Sequence, residues 1–96
     1  MIYIVCSCDI WKMRNSMRII TATTSIAKLK QLIAQLIEDG TFGYGVAQNP
    51  DGNDAASRFR EDYNNRKLDV GVLNDILIYG YVEAVADTAR SASFVN

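Results

Sequence analysis

The sequence predicts an α+β domain, a small antiparallel sheet of three or four strands with two or three helices on one face, in the order ββα(β)ααβ. Three observations lead there. The first 23 residues hold two β-rich runs around a polar stretch, the middle switches to a three-and-four spacing of apolar residues, and residues 79–86 return to alternation. With 96 residues, 49% apolar and 22% charged, and a net charge of -1, the chain fits one globular domain and is too apolar for disorder. The domain is expected to span 1–86, with a small, polar and mobile tail at 87–96.

Ile2, Ile4, Cys6 and Cys8 alternate with Tyr3, Val5 and Ser7, and both sets read as buried, so Ile2–Cys8 is expected as a strand covered on both sides. The polar run Asp9–Ser16 forms a longish hairpin loop, and Met17–Thr23 resumes the β pattern. From Ile26 the spacing of Leu29, Leu32, Ile33, Leu36 and Ile37 draws one apolar stripe along a helix, with Thr24 or Ser25 as N-cap and Gly40 as the left-handed C-cap. Thr41–Val46 is expected as a short strand whose free edge could pair with a second copy, making a homodimer. Ala47–Asn53, with the only proline, reads as a loop. Asn53 or Asp54 then caps a second helix to about Lys67, with Ala56, Phe59 and Tyr63 inward and an Arg58–Asp62 ion pair outward. Leu68–Leu77 supplies another helical turn or two. In the closing strand Tyr79–Ala86, the small residues on the Gly80 face allow close packing and the tyrosines on the other face meet solvent or a partner.

The composition removes several function classes. No apolar run approaches the roughly 20 residues of a membrane-spanning helix, since Asp9, Lys12, Lys28, Asp75 and Glu83 interrupt the hydrophobic stretches. The apolar start lacks a basic region and a cleavage site, so a cytoplasmic protein with Cys6 and Cys8 reduced is expected. Histidine is absent, which removes the commonest general base and the Ser-His and Cys-His nucleophile pairs. Two cysteines alone do not complete a tetrahedral zinc site, and no two carboxylates are spaced for paired acid/base work. No enzyme, metal site or cofactor is expected.

Binding is the class that remains. The loop places Trp11, the only tryptophan, beside Lys12 and Arg14, and tryptophan and arginine are the residue types that dominate binding hot spots. With Arg18, Tyr79 and Tyr81 they make a candidate surface for a protein partner. Trp11 could equally fold over the open end of the sheet as a core lid. An alternative site for a nucleotide or phosphate gathers Thr24, Ser25, Lys28 and Lys30 at the first helix N-terminus, where the macrodipole gives cations no stabilising role. Residues 1–30 carry +4 against -5 in the remainder. Nucleic-acid binding through that basic segment ranks third, because five cations are few and no recognition motif is present.

At Ser7-Cys8-Asp9, Trp11-Lys12, Ser16-Met17-Arg18, Thr24-Ser25 with Lys28-Leu29, and Tyr79-Gly80-Tyr81, the chain resembles small proteins carried by phages and mobile elements of gut bacteria. The resemblance implies provenance. Small phage proteins often bind and block host defence machinery, as anti-CRISPR proteins do, so it implies an inhibitor acting on a host protein by contact. No cofactor or catalytic residue comes with it.

Overall fold

A computed structural model describes residues 1–45, 52–64 and 66–86. The predicted α+β class is what it shows. Strands β1 (Ile2–Ser7), β2 (Arg18–Thr23) and β5 (Gly80–Val85) form an antiparallel sheet in the order β2-β1-β5. A second, two-stranded sheet pairs β3 (Gly43–Tyr44) with β4 (Leu77–Ile78). Helices α1 (Ile26–Glu38), α2 (Gly52–Tyr63) and α3 (Val70–Ile76) complete the fold. The tail and most of the predicted loop after Tyr44 lie outside the described residues.

The apolar stripe of α1 sends Leu29, Ile33 and Ile37 into the core, where Val5 and Val82 from the sheet, Ala56 and Phe59 from α2, and Leu73 from α3 meet them. Each of these side chains larger than Ala56 contributes about 1.5–3 kcal/mol by leaving water. Both helix ends are closed as expected. Ser25 Oγ accepts from Lys28 N at 3.2 Å, while Gly40, at φ 86°, lets its own N–H reach Ile37 O and that of Phe42 reach Leu36 O. Helix α2 begins at Gly52, so Asn53 and Asp54 lie inside its first turn rather than before it, and it stops at Tyr63, short of Lys67. Asp54 still suits that turn, where negative charge meets the positive end of the dipole.

Within Gly43–Tyr44 the short strand after Phe42 has one edge paired with β4. One expectation about strands is corrected: among the described residues no second layer covers the other face of β1. Val5 and Val82 face the helices, with Tyr3 packed beside them, whereas Ile2, Ile4 and Cys6 point to the opposite face and lie outside the core cluster. Cross-strand register adds Ile19, Ala22, Tyr81, Glu83 and Val85 to that face. Sheets with one solvated face ordinarily alternate apolar inward with polar outward. Here Glu83 is the only charged side chain among them.

The small sheet is tied to α2 by Tyr44, whose ring meets Phe59 edge-on at 5.6 Å and whose hydroxyl donates to Asp62 Oδ2 at 2.5 Å. Arg58, one turn earlier, holds the other carboxylate oxygen at 3.1 Å, as its spacing predicts. Burial, then the bond to Asp62, pushes the Tyr44 phenol well above the ordinary tyrosine range. The Tyr44 bond and, after it, Arg58 hold Asp62 below the ordinary carboxylate range. Raised in the folded state, Tyr44 contributes stability that is complete below about pH 10 and is lost as pH rises past it; depressed Asp62 contributes stability present above about pH 4 and lost as pH falls through its folded value. Tyr44→Phe is expected to cost about 1–2 kcal/mol at pH 7 and to flatten both limbs of the stability–pH profile, measured by urea unfolding from pH 3 to 11.

Candidate binding surface

The loop between β1 and β2 is held together by its own hydrogen bonds. Asp9 accepts from Lys12 N through its carbonyl and from Met13 N through Oδ1, closing a turn with Ile10 and Trp11 at its tip. Ser16 latches the far end: its Oγ accepts from Asp9 N at 3.0 Å and donates to Met13 O at 2.6 Å. A single 3-10 turn, Arg14–Ser16, then leads into β2. These bonds hold the backbone under Trp11 before any partner arrives, which lowers the ordering cost of binding.

That geometry leaves Trp11 in solvent. Its side chain is 78% exposed, so it is not a lid on the core. Ile10, Met13 and Tyr79 are about half exposed. Tyr79 joins them because Cys8, directly before the loop, donates its N–H to Tyr79 O at 3.0 Å. Among the described residues the only non-glycine positions with positive φ are Lys12 at 56° and Tyr79 at 66°. Such conformations cost about 1–2 kcal/mol outside glycine, and they concentrate where function requires them.

The other predicted residues divide. Arg14 is exposed on the 3-10 turn, and Arg18, exposed at the start of β2, donates to the carbonyls of Asn15 and Met17. Lys12 turns inward, its ammonium donating to Asn74 O at the end of α3, so it anchors the loop. Tyr81 is half-buried on the open face beside Cys6. At the alternative anion site Thr24 and Lys28 are exposed and Ser25 is committed as the helix cap. Lys30 is drawn away: its ammonium donates to Tyr63 O at 2.9 Å and Arg66 O at 3.1 Å, at the negative end of α2. This also accounts for a lysine early in α1, where that helix's own dipole opposes it.

Large apolar side chains, Ile10, Trp11 and Met13, dominate the exposed turn. Burial raises the pKa of both Cys6 and Cys8, with Glu83 adding to the shift at Cys6, so the thiols stay protonated near neutral pH. Among the described residues no group of three or more Cys, Asp or Glu is placed to hold a metal ion, and no helix is long and apolar enough to cross a membrane. Residues that sequence reasoning passed over are Ile10, Ile19 and Ile20, all exposed, as is Met13 beside Trp11. Adjacent isoleucines in a β-rich run look like core until the register of β2 is known. Comparison with protein families, with curated proteins and with solved structures found no match to this chain.

Proposed function

We propose that the protein is a non-enzymatic binding protein whose contact surface is the Trp11 turn together with Ile10, Met13, Arg14, Arg18 and Tyr79. The observation that carries this reading is a tryptophan 78% exposed on a turn braced by Asp9 and Ser16, in a loop whose preceding residue, Cys8, is bonded to the backbone of a second exposed aromatic, Tyr79. Large apolar side chains grouped on a surface and rimmed by arginine fit the anatomy of an interface hot spot. The partner this favours is a protein, with the apolar centre set in a polar rim. The resemblance to small phage proteins directs the search for it to host defence complexes, with the protein acting as an inhibitor by occupying a surface. A nucleotide or phosphate at Thr24, Ser25 and Lys28 is the weaker reading, since Lys30 is engaged elsewhere.

The test is affinity capture from bacterial lysate, with and without nuclease, using the wild type, Trp11→Ala/Arg14→Ala and Tyr79→Gly. Both replaced side chains of the double variant are exposed, so its unfolding free energy should stay within about 0.5 kcal/mol of wild type. Tyr79→Gly relieves a positive-φ tyrosine and should not lower stability. A discrete protein retained by the wild type and reduced at least tenfold by both variants is expected. Equal retention by the folded double variant rejects the surface, and retention abolished by nuclease moves the function to nucleic acid.

A further inference from the structure

The two edges of the three-stranded sheet are treated differently. On β5 the side chain of Asn74 does the work of a missing strand: Val82 N donates to Asn74 Oδ1 at 2.8 Å and Asn74 Nδ2 donates to Val82 O at 2.9 Å. Helix α3 therefore closes that edge at Val82. Because Val82 turns its backbone groups outward, its partner Val5 turns its own toward β2, and strand alternation carries the assignment across the sheet. Thr21 and Thr23, opposite Val5 and Tyr3, bond inward to β1, and so does Arg18 opposite Ser7. The backbone groups of Ile19 and Ala22, opposite Cys6 and Ile4, then point outward from the edge of β2. Among the described residues none bonds to them.

The spacing of these two residues selects what can pair with them. A regular strand presents outward backbone groups at every second residue. On β2 the register shift between Val5 and Cys6 leaves Ile20 as an extra residue, so the outward pairs fall at Ile19 and Ala22, three apart. A regular strand cannot match both. A second copy of β2, run antiparallel about a two-fold axis between Ile20 and Thr21, brings Ile19 opposite Ala22 of the other copy, twice over, with the same extra residue on each side. The faces agree as well: Ile19 and Ala22 share the open face, and Arg18 and Thr23, which also come opposite, share the covered one. Ile19 at 73% and Ile20 at 41% exposure lose apolar area to water in the monomer that this pairing reduces.

From this we infer that the protein forms a two-fold dimer through the edge of β2, joining two three-stranded sheets into one of six strands. Neither the proline nor any glycine of the chain falls in β2 to block the edge, and Arg18 is its only charged residue. The inference does not rest on the Trp11 surface, with which it shares only Arg18, the first residue of β2.

Sedimentation velocity over a range from about 1 to 500 μM tests it, on wild type, Ala22→Pro and Ile19→Lys. Proline at 22 removes an N–H that faces outward, so the ladder to β1 keeps its bonds while the edge loses a donor and gains a ring. Lysine at 19 replaces a side chain already in solvent and keeps the measurement decisive if the proline variant fails to fold. The wild type is expected at twice the 10.7 kDa chain mass at the upper concentrations. Each variant should weaken the association at least tenfold with its circular dichroism unchanged. A wild type that stays at the chain mass throughout overturns the inference, as does a dimer indifferent to the folded variants.

Discussion

Phe42→Ala is expected to lower the unfolding free energy by about 3–5 kcal/mol, measured by urea denaturation. The ring is 2% exposed and sits where three elements converge: its backbone N–H closes the end of α1 on Leu36 O, it directly precedes β3, and its face lies on Gly80 at the start of β5. A Cβ at Gly80 would stand 2.8–2.9 Å from three of the ring carbons, closer than a methyl group and a ring tolerate. Gly80→Ala alone should therefore cost about 1–3 kcal/mol through overpacking. In the Phe42→Ala background the same change should be nearly neutral, because the atoms it collides with are gone. That non-additivity separates contact between the two residues from two unrelated defects. Additive costs would place Phe42 elsewhere than against β5.

Asn74→Ala is expected to cost about 2–3 kcal/mol, since it strips both hydrogen bonds from the Val82 backbone while leaving the strand in place. Hydrogen exchange reads the cause directly. The Val82 amide should lose protection well beyond the global loss, whereas the amides of Val5 and Ile33 should follow the global change alone. A uniform loss at all three sites would mean that Asn74 supports the packing of α3 rather than the sheet edge.

Both results concern features that the sequence shows only in outline. The stripe of α1, its Ser25 cap and its Gly40 terminus were legible because each rests on neighbours within a few residues. The closing strand was legible in its alternation, and Gly80, on its small-residue face, does allow a close approach, though by the ring of Phe42 rather than by a helix. What could not be read depends on partners distant in the chain. Asn74 became an edge closure only once α3 lay beside β5. Lys30 became a helix-terminus cation only once α2 ended near it, 33 residues away. The covering of β1 is not legible because alternating apolar residues on two faces record what a strand could bury and not whether a second layer lies against it, and among the described residues none does.

The candidate site divides along the same line. Trp11, Arg14 and Arg18 could be named from residue type, but exposure and core lid were equal readings until the turn from Asp9 to Lys12 showed Trp11 projecting into solvent. Lys12 and Tyr79 carry a signal that residue type does not announce, the left-handed backbone that brackets the surface. Tyr81 belongs instead to the open face of the sheet, beside Cys6 and opposite the side that packs on the helices.

The claim that the Trp11 turn is a contact surface is tested most directly by placing a photo-crosslinking phenylalanine analogue at position 11 in bacterial cells. The same analogue at Gln31, exposed on α1, serves as the comparison. A discrete adduct from position 11, absent from position 31, is the predicted result. No adduct from the folded position-11 protein, or the same adduct from both positions, would contradict the account.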